Sequence, residues 1–140
     1  MSDRFFLDTN IFVYSFDRGA AHKAAKAQTL IREALASQRG VVSYQVVQEF
    51  LSVALTRFAK SFPAREAEEY LLATFKPLLA VHSSPRLFLD ALRICIQYQF
   101  SWYDSLIVAA AQQAECSVLY TEDMQHGRRI GDLTIENPFR

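Results

Sequence analysis

The stretch Phe5-Phe6-Leu7-Asp8-Thr9-Asn10 decides the fold, because it joins an apolar run directly to a charged residue. The three apolar residues predict a short buried strand that ends at Asp8. A carboxylate at the end of a buried strand costs free energy unless it is paired, hydrogen-bonded or bound to a cation. Two interpretations therefore stay open. Asp8 either caps the helix that follows, with Asn10 as the alternative cap, or it faces a cation-binding site.

Apolar runs alternate with helical periodicity along the rest of the chain. Strands are predicted at residues 5–7, 41–43, 78–81 and 118–120, with a further short strand at the sheet edge at 133–135. Helices are predicted at residues 10–16, 20–37, 45–58, 64–75, 85–98 and 102–114. This alternation indicates an α/β fold with a mainly parallel sheet of about five strands flanked by helices. We expect a single domain over residues 1–140, which is an ordinary domain size.

The composition is that of a globular protein, with 51% hydrophobic residues and a formal net charge of zero. Proteins that bind nucleic acid by general electrostatics are usually basic, so an RNA ligand would require a local basic patch here. No apolar run approaches the length of a membrane span, and the run before Asp8 is too short for a secretory signal. Cys95 and Cys116 match no zinc or redox spacing, which indicates reduced core thiols. We therefore expect a cytoplasmic protein.

Three further carboxylates occupy positions where a site in such a sheet is expected, since ligands bind beyond the carboxyl ends of parallel strands. Asp123 follows the predicted strand at 118–120. Asp104 opens an apolar helix, and Glu49 is the only charge in the first turns of another. Each also has a purely structural interpretation. Asp123 suits a turn, Asp104 suits a capping box with Ser101, and Glu49 suits an exposed polar face.

These positions allow four carboxylates to meet at one end of the sheet. Carboxylates that lie so close repel one another and raise each other's pKa, and a hard divalent cation removes that penalty. Mg²⁺ prefers oxygen ligands, and no Cys or His cluster in the sequence favours a softer metal. We therefore predict one catalytic metal site formed by Asp8, Glu49, Asp104 and Asp123. Glu122 competes with Asp123 for the fourth position.

The same residues resemble the motifs of the PIN-domain family, and specifically of its VapC-like toxin branch. Phe6-Leu7-Asp8-Thr9-Asn10-Ile11 resembles the first motif, an apolar strand ending in Asp-Thr-Asn, and Glu49-Phe50 resembles the second acidic position. Asp104-Ser105-Leu106-Ile107-Val108-Ala109-Ala110 resembles the third motif, and Thr121-Glu122-Asp123 resembles the fourth. The closing Asn137-Pro138-Phe139 is similar to the tail of many members. The resemblance extends over nearly the whole chain.

This resemblance implies a single PIN domain with Mg²⁺- or Mn²⁺-dependent endoribonuclease activity on RNA, acting as the toxin of a toxin–antitoxin pair. It also implies a homodimer and inhibition by a small antitoxin protein. In the mechanism that we expect, Asp8 and Asp104 hold the main ion, and Glu49 and Asp123 complete the site.

Two outer groups of residues are predicted around that site. Three polar residues are predicted to orient ligands or waters, with turn and cap chemistry as their structural interpretation: Thr9, Asn10 and Thr121. Four cations are candidate RNA contacts, with solvated surface charge as the structural interpretation: Arg128, Arg129, Arg86 and Lys23.

Two other functions fit part of the pattern. A phosphatase of the haloacid dehalogenase type would use Asp8 as its nucleophile, but that site requires a second Asp where this chain has Asn10. A catalytically inactive PIN-fold module that binds RNA or a partner protein would keep the fold and lose the chemistry. The presence of all four acidic residues argues against that loss.

Overall fold

The computed structural model describes residues 3–58 and 60–140, and strands and helices alternate along them as the sequence predicts. The strands are β1 (Phe5–Leu7), β2 (Gly40–Ser43), β3 (Leu79–Val81), β4 (Val118–Tyr120), β5 (Arg129–Ile130) and β6 (Leu133–Glu136). The helices are α1 (Thr9–Tyr14), α2 (Ala21–Ser37), α3 (Tyr44–Thr56), α4 (Ala64–Tyr70), α5 (Lys76–Leu78), α6 (Pro85–Tyr98) and α7 (Trp102–Gln113). The predicted α/β fold with a mainly parallel sheet is confirmed.

The order of the strands places β1 inside the sheet and creates a reversal beside it. The sheet has six strands in the order β3-β2-β1-β4-β6-β5, and only β5 pairs antiparallel with its neighbour. The chain moves outward from β1 through β2 and β3, and then returns to the opposite side of β1 with β4. Parallel α/β sheets bind ligands at such a switch point, beyond the carboxyl ends of the strands. The residues that follow β1 and β4 therefore lie where a site is expected.

The strand predicted at 133–135 is present as β6, but its predicted position at the sheet edge is wrong. β6 pairs with β4 on one side and with β5 on the other, so the edge is formed by β5. Ile130 pairs with Leu133 across a two-residue turn, in which Gly131 adopts a φ of +61°. The two residues of β5 are too few to show an alternating pattern, so the sequence did not reveal this strand.

The helix predicted at 64–75 is regular only as far as Tyr70. Residues Leu71–Phe75 form a π-helical segment, and a short α-helical turn, Lys76–Leu78, follows it. Pro77 has no backbone N–H to donate to Ala73 and its ring crowds the preceding turn, so a regular α-helix cannot continue through it. The segment leads directly into β3.

Aromatic side chains fill the core beside the first strand. All three residues of β1 are buried, which requires cover on both faces of the sheet. Phe12 packs against Phe50 and Phe75 with ring centroids 6.4 Å and 4.8 Å away, and all three rings are fully buried. Because β1 is buried on both faces, Asp8, which follows it, lies at the end of a buried strand.

The remaining sequence expectations concern the cysteines and the membrane. Both cysteines are free, with Cys116 buried and Cys95 half-buried. Within the two described ranges, no helix combines the length and the apolar character that crossing a bilayer requires.

Candidate active site

Asp8 is buried at the carboxyl end of β1, and its two oxygens are held from different elements. Its side chain is only 4% exposed. Oδ1 accepts a hydrogen bond from the Thr9 amide at 2.7 Å, which makes Asp8 the N-cap of α1. Oδ2 accepts one from Thr121 Oγ1 at 2.8 Å, across the switch point from β4. The alternative cap is wrong, because Asn10 lies inside the helix.

The burial of Asp8 is electrostatically costly. Burial raises the pKa of this carboxyl to about 7, the hydrogen bonds from Thr121 and Thr9 lower it, and the charges of Asp123 and Glu49 raise it again. A group with such a pKa does not hold a full negative charge at neutral pH without assistance. The side chain is thus both a helix cap and a charge that a cation would stabilise.

Glu49 and Asp8 are linked by Thr9, which donates a hydrogen bond to each of them. Thr9 donates its hydroxyl to Glu49 Oε1 at 2.7 Å, and its amide binds Asp8. Glu49 lies on α3 and is half-exposed, so it is not the freely solvated polar-face residue of the structural interpretation. Thr9 therefore links two of the predicted site carboxylates and orients both.

Asp104 lies in the first turn of α7, where a cap and a site position coincide. Ser101 is the N-cap and accepts a hydrogen bond from the Asp104 amide at 3.1 Å, as the capping box predicts. Burial raises the pKa of Asp104, the hydrogen bond with Ser101 lowers it, and the charge of Asp123 raises it. The capping interpretation is correct, and the charge of Asp123 also acts on this carboxylate.

Glu122 and Asp123, the two candidates for the fourth position, have different electrostatic partners. Lys23 on α2 binds Glu122 Oε1 at 2.7 Å, so the charge of Glu122 has a cationic partner within the protein. Asp123 is the residue whose charge reaches both Asp8 and Asp104. Its amide donates to Thr121 Oγ1 at 3.1 Å, so Thr121 joins the Asp123 backbone to the Asp8 side chain.

The predicted carboxylates share one electrostatic environment but do not form a closed cluster. Within residues 3–58 and 60–140, no three Asp, Glu, His or Cys side chains lie close enough together to hold a metal ion. The donor set still suits a hard divalent cation, since all the groups are oxygens and Asp8 is buried among negative charges. Mg²⁺ is usually bound by one or two carboxylates and keeps several waters, which requires no preformed cluster of three. Metal binding stays a prediction.

Sequence reasoning missed two buried polar residues at the same end of the sheet. Ser43 ends β2 and is 1% exposed, and Gln45 follows in the first turn of α3 and is 5% exposed. Ser43 Oγ and Gln45 Oε1 have no hydrogen-bond partner within the described residues, and neither do the side-chain atoms of Asn10. Gln45 Nε2 donates to the carbonyl of Tyr103, beside Asp104. The signal was available, because Ser43 ends an apolar strand just as Asp8 does.

The candidate RNA contacts lie in unlike environments. Arg128 rests on the rings of Tyr98 and Phe100, at 5.4 Å and 4.9 Å from their centroids. Arg129 is exposed on β5. Lys23 is paired as described above, and Arg86 pairs with Asp90 on α6 at 3.3 Å. Arg86 and Arg129 are exposed, as the structural interpretation expects, whereas Lys23 and Arg128 are half-buried.

Comparisons with known proteins agree with this fold. The PIN domain family model matches residues 5–130. A toxin–antitoxin complex from Klebsiella pneumoniae superimposes with a TM-score of 0.65 at 18% identity, over 95% of this chain and 96% of that chain. For VapC20 of Mycobacterium tuberculosis, described as a sarcin-ricin loop cleaving toxin, the TM-score is 0.61 at 18% identity, over 85% and 89% of the two chains. For FitAcB from Neisseria gonorrhoeae it is 0.64 at 17% identity, over 96% and 98%. No curated protein matches the sequence.

We expect Asp8→Asn to raise the melting temperature of the divalent-free protein more at about pH 8 than at about pH 5. The pKa of Asp8 is raised from 3.8 to about 7 on folding. Between these values the folded protein keeps a proton that the unfolded chain has released, so the contribution of Asp8 to stability falls as the pH rises. Asn keeps the capping geometry without the charge. Thermal unfolding in the presence of a chelator measures the shift.

Asp132→Asn is the matched control, because Asp132 is exposed and precedes the amino end of β6, whereas the site lies beyond the carboxyl ends of the strands. We expect it to shift the melting temperature little and equally at both pH values. If Asp8→Asn lowered the melting temperature by the same amount at both, Asp8 would act only as a helix cap.

Proposed function

Because the chain belongs to the PIN domain family, we propose that it is a Mg²⁺- or Mn²⁺-dependent endoribonuclease and the toxin of a toxin–antitoxin pair in the cytoplasm. The observation that carries the proposal is the buried Asp8 carboxylate, whose pKa is raised by burial and further by the charges of Asp123 and Glu49. VapC20 shares this fold and is described as a toxin that cleaves the sarcin-ricin loop. An acidic site of this kind suits phosphodiester hydrolysis, in which the protein must hold cations against a polyanion.

Asp8 and Asp104 would hold the main ion, with Glu49 and Asp123 completing the site. A bound divalent ion supplies two effects: it lowers the pKa of the attacking water and neutralises charge on the leaving oxygen. The carboxylates keep the lone pairs that this role needs. The Asp8 oxygens each accept one hydrogen bond, and a carboxylate oxygen can accept two.

The threonines contribute by fixing the orientation of these carboxylates. Thr121 and the Thr9 amide hold the two oxygens of Asp8, and the Thr9 hydroxyl holds one oxygen of Glu49. These bonds limit the rotation of both side chains, so less conformational entropy is lost when an ion or RNA binds. In this proposal Thr9 and Thr121 would orient the ligands of the ion, as the sequence predicts.

We expect the purified chain to cleave structured RNA in the presence of Mg²⁺ or Mn²⁺ and to stop when a chelator is added. Asp8→Asn and Asp104→Asn should each lower the cleavage rate by more than about 100-fold, because each removes a proposed ligand. Single-turnover cleavage of a panel of structured RNAs measures the loss. Asp132→Asn is the control, since Asp132 is exposed and precedes the amino end of β6, away from the carboxyl ends of the strands. It should cleave as the native chain does.

Two results would change the assignment. Cleavage by Asp8→Asn at the native rate would remove Asp8 from the site. Absence of cleavage in the native chain, together with no calorimetric binding of Mn²⁺, would favour the alternative of an inactive RNA- or partner-binding module.

An aromatic groove between α1, α3 and α4 is the surface that we assign to the antitoxin. Its volume is about 890 Å³. Its apolar lining includes Phe16, Phe58, Phe62 and Tyr70, and charged residues of both signs stand around them. Phe16 is 39% exposed although its ring contacts the other three. Such a groove fits the apolar side chains of a peptide segment, and one protein of similar fold is described as a toxin–antitoxin complex.

We expect Ala73→Lys to abolish binding of the antitoxin encoded beside this gene. Ala73 is exposed and lines the groove, so a lysine there would fill the space and place a charge over the aromatic rings. Co-expression of the two proteins, followed by affinity capture, measures the complex. Leu72→Lys is the control, because Leu72 is the adjacent exposed residue outside the groove. Equal loss in both variants would argue against the groove.

A stripe of exposed apolar residues on α6 is the surface that we assign to a second copy of this chain. Phe88, Leu89, Leu92 and Ile96 are 40%, 51%, 47% and 79% exposed. Their spacing places them on one side of a helix. Phe88 also contacts Trp102, which begins the helix that carries Asp104. A homodimer formed through this stripe would therefore bring two acidic sites near one interface.

We expect Ile96→Glu to convert the dimer to a monomer, because it places a charge in the middle of an apolar contact. Light scattering coupled to size-exclusion chromatography measures the mass. Leu55→Glu, at a residue on α3 that is 45% exposed, should leave the mass unchanged. A native chain that elutes as a monomer at all concentrations would refute the dimer.

A further inference from the structure

The ammonium of Lys23 lies at a junction of four segments beside the acidic site. It binds Glu122 Oε1 at 2.7 Å and donates to the Tyr14 hydroxyl at 3.4 Å. It also lies 4.5 Å from the ring centroid of Tyr14 and 5.6 Å from that of Phe139. The two rings pack edge to face at 5.1 Å. Lys23 thereby joins α2, the end of α1 and the C-terminal segment to the turn that follows β4.

This ion pair differs from the others in the described residues. It is the shortest of them, and its side chains are only 33% and 28% exposed. The pairs within α4 and α6 are local contacts between exposed arginines and residues one turn away. Local surface pairs contribute little to stability, whereas a half-buried pair is screened less by salt and water. Lys23 and Glu122 are 99 residues apart in sequence, so their contact fixes tertiary structure.

The turn that Lys23 holds carries two residues of the site on either side of Glu122. Thr121 donates to Asp8, and the Asp123 amide donates to Thr121 Oγ1. No hydrogen bond within residues 3–58 and 60–140 holds the Asp123 side chain, which is exposed. The position of the Asp123 carboxylate therefore depends on its backbone and on the neighbour that Lys23 binds.

Electrostatic repulsion between Asp123 and the carboxylates of Asp8 and Asp104 opposes the placement of this turn near the site. The charge of Asp123 raises the free energy of the ionised forms of both Asp8 and Asp104. A free turn would relax by moving Asp123 outward, away from both carboxylates. The cation of Lys23 binds the adjacent side chain and opposes that movement.

We propose that the Lys23–Glu122 ion pair is a positioning device that holds Asp123 at the acidic site against the repulsion of Asp8 and Asp104. Lys23 is on this assignment a positioning residue and not an RNA contact, as three residues of the protein already contact its ammonium. The role in cleavage rests on the proposed function, whereas the role in holding the turn does not.

The test compares Lys23→Met and Glu122→Gln with the control Lys26→Met. Lys26 is an exposed lysine on the same helix, so its substitution removes the same charge without touching the turn. The first readout is hydrogen exchange of the Asp123 amide, followed by NMR in the full chain. The second is kcat and KM for RNA cleavage. Circular dichroism and exchange of the β1 amides check that each variant keeps the fold.

We expect Asp123 exchange to accelerate in Lys23→Met and Glu122→Gln, with no change in Lys26→Met. Both site variants should lose about 10-fold in kcat with KM unchanged, and the double variant should be no worse than either. If Asp123 exchange is unchanged and Lys23→Met raises KM alone, Lys23 is an RNA contact and the proposal is wrong. Accelerated exchange in a native-like chain that cleaves no RNA would support the positioning role and refute the nuclease function.

Discussion

The burial of the Asp8 carboxylate is the constraint on which the acidic end of the sheet depends. A charged group inside an apolar strand environment requires hydrogen bonds or an opposite charge. The chain supplies two hydrogen bonds, one from the first turn of α1 and one from Thr121 beyond β4. These bonds reduce the cost, yet the pKa of Asp8 stays near 7. In the proposed function, a bound cation would relieve the remaining cost.

The strand order explains why only a few residues are needed to build this site. β1 lies between β2 and β4, so the residues that follow these strands are neighbours although they are far apart in sequence. Asp8 and Thr121 meet across the switch point, and the Asp8 amide donates to the carbonyl of Tyr120. Helix N-termini also point to this end, and their partial positive charge favours carboxylates such as Asp104. Capping and site formation therefore use the same residues.

The sequence predicted the parts of this arrangement that local rules control. Asp8 and Asp123 were found because they follow strands, Asp104 because it opens an apolar helix, and Glu49 because it is a lone charge in an apolar turn. The partner of Glu122 was not predictable, because ion pairing over 99 residues depends on tertiary packing. The strand β5 was missed because its two residues are too few to show the alternation of buried and exposed side chains that marks a strand. Local sequence pattern predicted which residues lie near the candidate site. The tertiary contacts of those residues depend on packing, which the pattern does not reveal.

The distribution of cations bears on how RNA would be recognised in the proposed function. The net charge is zero, so no general field attracts a polyanion to this chain. Lys23 is bound to Glu122, Arg86 to Asp90, and Arg128 packs on aromatic rings. These cations already have partners within the protein. RNA bound near Asp8 would also meet carboxylates whose charge repels phosphate. In the proposed function, a divalent ion that reverses the local charge would therefore be needed for RNA to approach as well as to react, so binding and chemistry would depend on the same residues.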